Sequence, residues 1–107
     1  MKNSAGNAIY SCRSVMSVNE GTLTAGNSPV TCPVSANLGG GTNRGNAGYI
    51  ANDGSGSIQV EIAQEGTSYM SPFTLKSGEN FDVTGMNISN VRLTRLGADA
   101  NYRVVIW

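Results

Sequence analysis

Apolar residues in this chain recur at every second position rather than every third or fourth. Ile58, Val60 and Ile62 alternate with Ser57, Gln59 and Glu61; Phe81 and Val83 alternate with Asn80, Asp82 and Thr84; Val91 and Leu93 alternate with Arg92 and Thr94. A period of two places one set of side chains on each face of an extended strand, so these runs predict half-buried β-strands. No stretch of eleven or more residues carries a helical apolar stripe, and glycines interrupt nearly every window. The alternation and the turns predict strands at about 9–18, 29–37, 47–51, 57–64, 68–75, 79–85, 87–95 and 101–107. The last six read as a meander. Asn52-Asp53-Gly54-Ser55-Gly56 offers the positive-φ residues of a tight hairpin, and Glu65-Gly66, Lys76-Ser77-Gly78-Glu79 and Gly97-Ala98-Asp99 repeat the turn signal. The fold class expected is all-β, an antiparallel β-sandwich of jelly-roll or immunoglobulin-like type.

The chain has 107 residues, enough for one core and too few for two. Residues 1–8 are small and polar and read as an N-terminal arm, leaving 9–107 as the sandwich domain. Gly, Asn, Ser and Thr make up 46 residues, whereas Leu, Ile, Val and Phe supply only 22. That apolar supply is thin, but the net charge is zero and the apolar positions alternate, so the chain folds rather than stays disordered. In the second predicted strand Val30, Cys32, Val34, Ala36 and Leu38 share a parity, and Pro29 and Pro33 flank or interrupt it, which predicts a sheet edge. In the first, Tyr10, Cys12, Met16 and Val18 share the parity expected to face inward. Leu38 to Asn46 reads as a flexible glycine-rich loop.

Charge and chemistry exclude several function classes. There is no histidine, hence no imidazole general base, metal ligand or pH switch. Seven basic and seven acidic residues are spread evenly, without the basic footprint of a nucleic-acid binder. No window is apolar enough to span a membrane, and no secretory h-region follows Met1-Lys2, so the protein is expected to be made and used in the cytosol, released by lysis, or present here in mature form. Gly39-Gly40-Gly41-Thr42-Asn43-Arg44-Gly45 lacks the ending of a phosphate loop, and Asn52-Asp53-Gly54-Ser55-Gly56 lacks the carboxylates of a calcium loop. No serine lies in a nucleophile elbow, and nothing marks a carboxylate pair for acid–base work. Cys12 and Cys32 fit either two buried thiols or one bridge, and an intracellular origin favours thiols. Asn87-Ile88-Ser89 matches a glycosylation sequon, which matters only in a eukaryotic secreted protein. The expectation is a protein without enzymatic activity, cofactor or metal.

Tyr49, Tyr69 and Trp107 are the candidates for exposed aromatics. In the closing run Arg103, Val105 and Trp107 share one face and Tyr102, Val104 and Ile106 the other. A strand apolar on both faces needs cover on both sides. One sandwich covers one face, so the second is expected to meet another subunit.

From Gly56 to Trp107 the sequence resembles small all-β virion proteins of tailed bacteriophages, of the capsid decoration or cement type. The likeness lies in Gly56-Ser57-Ile58-Gln59-Val60-Glu61-Ile62, Pro72-Phe73-Thr74-Leu75-Lys76-Ser77-Gly78-Glu79-Asn80-Phe81, Ile88-Ser89-Asn90-Val91-Arg92-Leu93 and Ala100-Asn101-Tyr102-Arg103-Val104-Val105. The resemblance implies a structural protein on the capsid exterior that clamps the major capsid protein, often as a trimer, with the arm and the loop at 38–46 supplying reach. Arg13, Arg44, Arg92, Arg95 and Arg103 are the side chains suited by residue type to an acidic capsid surface, with Trp107 as an apolar contact. The alternative reading is a carbohydrate- or receptor-binding module of a phage tail or fibre, marked by exposed aromatics beside carboxamides.

Overall fold

The computed structural model describes residues 15–107. The predicted arm, most of the first predicted strand, Cys12 and Arg13 lie outside these residues. Eight strands are present among them: β1 (Ser17–Leu23), β2 (Val30–Cys32), β3 (Gly45–Asn52), β4 (Ser57–Ala63), β5 (Phe73–Leu75), β6 (Asn80–Ile88), β7 (Asn90–Leu96) and β8 (Ala100–Ile106). A single helical turn, α1 (Val34–Asn37), follows β2. The strands form two four-stranded sheets, ordered β1-β8-β3-β6 and β2-β7-β4-β5, in which every pairing is antiparallel. The fold is an antiparallel β-sandwich, as the alternation predicts.

The core lies between the sheets. Ile50, Val83, Val104 and Ile106 from the first face Ile58, Val60, Val91 and Leu93 from the second, and all are almost wholly buried. The rings of Phe73 and Phe81 meet at 4.7 Å, joining β5 of one sheet to β6 of the other. Aromatic contacts at such spacing add to the burial itself.

The order of the strands differs from a meander. Of the consecutive strands, only β4 and β5 pair with each other; every other connection crosses from one sheet to the other. Alternation fixes which face a residue occupies but not which strand lies beside it, so the pattern could not distinguish a hairpin from a corner. The run at 52–56 is such a corner. Asn52, fully buried, donates through Nδ2 to the carbonyls of Gly56 (2.6 Å) and Leu75 (3.0 Å), and its Oδ1 accepts from the Gly54 N–H at 3.1 Å. Gly56 packs so close to the next corner that a Cβ there would lie 2.6 Å from the Asp99 carbonyl oxygen. Ser89 forms a third corner: its N–H donates to Ala63, and its hydroxyl lies 3.0 Å from the carbonyls of Ala63 and Gly66. The sequon serine is therefore committed to main-chain groups.

Three other expectations are corrected. The strand expected over 29–37 stops at Cys32, because Val34 and Leu38 are buried one helical turn apart and the Leu38 N–H donates to the Val34 carbonyl. Spacings of two and four share positions, so alternation alone concealed the turn. Pro29 and Pro33 do bound β2, which lies at a sheet edge as predicted. The strand expected over 68–75 shrinks to Phe73–Leu75, with a lone bridge between Tyr69 and Ala63. Pro72 cannot donate to the ladder. Finally, β1 has the reverse parity: Ser17 and Leu23 are fully buried, whereas Val18 is 48% and Met16 52% exposed. Leu23 is the large inward anchor of β1, and Gly21 leaves room for the Tyr102 ring on β8.

Cys32 is fully buried and carries a free thiol. Burial pushes that thiol up to about 12. In the unfolded chain it ionises near its ordinary value of about 8.5, so between these values the unfolded state holds fewer protons and stability falls as pH rises. Burial also raises Tyr102, which acts in the same direction. The expected result is a urea midpoint that drops between pH 8 and pH 10.5, and drops less in Cys32→Ala. An equal fall in both proteins would contradict it.

Candidate functional site

The two outer faces of the sandwich differ in chemistry. On the second sheet the outward positions are Thr31 and Arg92, Glu61, Gln59, Thr94, Thr74 and Ser57, with Leu96 at one end. That is a solvated surface. On the first sheet the register aligns Val18, Val105, Tyr49 and Asp82 in one row across all four strands. The neighbouring row holds Glu20, Arg103, Ala51 and Asn80. Trp107 continues β8 beyond the Val105 row, and its main chain is fixed: its N–H donates to Ala47, and its carbonyl accepts from Asn46 and Ala47. Trp107 is 43% exposed. An apolar patch of Met16, Val18, Val105 and Trp107 thus occupies one end of the β1–β8 half of this face, and among the described residues β1 is one edge of the sheet, β6 the other.

On the β3–β6 half lies an open depression of about 500 Å³, with Tyr49, Asn80, Asp82, Thr84, Arg103 and Trp107 around it and Gly48 and Val83 beneath. The Arg103 guanidinium is held by Asp53 through two contacts, Nε–Oδ2 at 3.1 Å and Nη2–Oδ1 at 3.3 Å, and donates weakly to the Tyr49 hydroxyl at 3.4 Å. It lies 5.4 Å from the Tyr49 ring centre. The hydrogen bonds and charge of Asp53 hold Arg103 above its ordinary value.

The other predicted contact residues are dispersed. Arg44 ties the glycine-rich loop to the body: it donates to the carbonyls of Asn43 (2.9 Å), Gly41 (3.0 Å) and Gln64 (3.1 Å) and to the Ser35 hydroxyl, and pairs with Glu65 at 3.3 Å. Within that loop Gly39, Gly40 and Gly41 all have left-handed φ. Arg92 grips both oxygens of Glu61 at 2.9 and 3.0 Å and stacks 4.2 Å from the centre of the Tyr69 ring. Its hydrogen bond holds the Glu61 carboxyl below its ordinary value. Arg95 pairs with Asp99 at 2.9 Å. All four arginines among the described residues thus carry a carboxylate of their own chain, and only Arg103 and Trp107 come together. Of the three aromatics, Tyr49 and Trp107 share a face and Tyr69 lies beneath Arg92 on the other sheet. The sequence reading missed Met16 and Val18 as surface residues; the signal available was the anchor Leu23, whose parity fixes the strand.

Among the described residues no three His, Cys, Asp or Glu side chains converge as metal ligands, and no helix is long and apolar enough to cross a membrane. Comparison with protein-family models, with curated proteins and with solved structures finds no match.

Proposed function

We propose that this chain is a structural virion protein of a tailed bacteriophage, of the capsid decoration or cement type. In this reading it is made in the host cytoplasm, docks on the outside of the shell and stabilises the major capsid protein, as a homo-oligomer with the trimer favoured. It acts by adhesion, without a reactive centre or cofactor. The observation that carries the reading is the asymmetry of the outer faces: polar on β2-β7-β4-β5, apolar along Met16, Val18, Val105 and Trp107 on β1-β8. Fully burying a valine or methionine side chain is worth roughly 1.5–3 kcal/mol. A few such side chains on a rigid strand pair supply the core of a protein–protein contact. The arginines, each already neutralised, sit better at its polar rim than at its centre.

The test uses empty capsid shells of the phage that encodes the chain, prepared without it. The protein is expected to co-sediment with the shells and to raise their melting temperature. Shells that neither retain it nor melt later would overturn the proposal.

A further inference from the structure

We propose that the depression between β3, β6 and Trp107 is a binding site for an uncharged glycan, the pyranose ring stacking on Trp107 and Tyr49 while its hydroxyls bond to Asp82, Asn80 and Thr84. This inference shares Trp107 with the apolar patch of the capsid reading, but its polar groups lie on β3 and β6 rather than on the β1–β8 half of the face.

Three observations define the ligand. The first is the supply of free polar groups. Elsewhere the carboxamides of Asn27, Asn37, Asn43 and Asn52 are spent on the protein's own groups. Among the described residues the side chains of Asn80, Asp82 and Thr84 have no hydrogen-bond partner, nor has the Trp107 indole N–H. They line one depression. A carboxylate accepts from two neighbouring hydroxyls, while an amide both donates and accepts; together they match a polyol and waste their capacity on a hydrocarbon.

The second observation is charge. Arg103 in the depression is already paired with Asp53, and Asp82 has no basic partner among the described residues, so these side chains leave an excess of negative charge. That repels phosphates, sialylated sugars and nucleic acids. The third is rigidity and place. Tyr49 lies on a strand paired on both sides, and the Trp107 main chain is hydrogen-bonded to β3. Fixed main chains thus hold both aromatics at the depression, and an aromatic π face attracts the polarised C–H bonds of a sugar ring at little ordering cost. The volume is in the range of small-ligand sites.

Trp107 is the single tryptophan, so its emission reads this site directly. The intact protein is titrated with glucose, galactose, mannose, N-acetylglucosamine and their oligomers, and with sialyllactose. At least one neutral sugar is expected to shift and saturate the emission, with calorimetry giving the same affinity. Asp82→Ala and Trp107→Ala are each expected to weaken binding at least tenfold by calorimetry, and Thr94→Ala on the opposite face to leave it unchanged. No titration by any neutral sugar up to 10 mM, binding of sialyllactose alone, or unchanged affinity in Asp82→Ala in a protein with the parent's circular dichroism would each overturn the proposal. Loss of shell binding with sugar binding intact would count against the capsid reading alone.

Discussion

Gly48→Ala is expected to destabilise the protein by at least ~3 kcal/mol, the largest effect of any single methyl group added to it. Gly48 sits inside β3 with φ +133°, a conformation that side chains rarely adopt. A Cβ there would collide with the Val105 carbonyl oxygen and lie 2.9 Å from the Ile106 Cα. The obstruction is backbone of β8, so no rotamer relieves it; β3 and β8 would have to part, and their pairing is the centre of the first sheet. Gly66→Ala provides the control. Gly66 also has positive φ, +53°, but nothing lies within 4 Å of its added Cβ. It is expected to cost about 1–2 kcal/mol, the left-handed penalty alone. Urea unfolding of the two variants separates close approach from backbone strain; equal losses would show that close approach contributes nothing.

Asn52→Leu is the second large effect, about 3 kcal/mol or more. The leucine has the same number of side-chain heavy atoms but bulkier methyl groups, so overpacking of a fully buried site adds to the loss. What is lost is a polar junction: the Asn52 amide joins the end of β3 to the corner at Gly54 and Gly56 and to Leu75 on β5, in the other sheet. Buried carbonyl and N–H groups deprived of partners cost roughly 1–3 kcal/mol each. Thermal and urea unfolding should both report the loss, with the largest gain in hydrogen exchange at the corner of residues 52–56. A loss below about 1 kcal/mol would mean that water or a rearranged turn replaces the amide.

These junctions mark where the sequence is legible. The alternation from Ser57 to Ile62 delivers β4 with its faces correctly assigned, because each of its inward positions is a large aliphatic residue. Pro29 and Pro33 locate an edge because a missing N–H has the same consequence in any sheet. The pattern fails where small residues take the inward parity of a strand. Ser17 and Gly21 on the inner side of β1 have no hydrophobic signature; they are there because Asn37 and Tyr102 approach that strand, and such contacts join residues far apart in sequence. The candidate site is legible in its parts, since Tyr49, Arg103 and Trp107 stand out in the sequence as an exposed aromatic, a contact arginine and a terminal aromatic. Their convergence depends on β3 lying beside β8, which no local period encodes. Likewise the arginines are visible as residue types, but their carboxylate partners emerge only with the register, as when Glu61 falls opposite Arg92.

Adhesion through the β1–β8 face, rather than through the opposite sheet, decides the capsid reading. Val18→Glu places a charge in the apolar patch on β1, and Thr74→Glu places the same charge on the exposed outer side of β5. Neither position is buried, so both variants should fold with the parent's stability to within about 0.5 kcal/mol. The measurement is the affinity of each for empty capsid shells by co-sedimentation. Val18→Glu is predicted to bind at least tenfold more weakly than the parent, and Thr74→Glu to bind as the parent does; equal binding by both variants, or loss confined to Thr74→Glu, would contradict the assignment of the β1–β8 face.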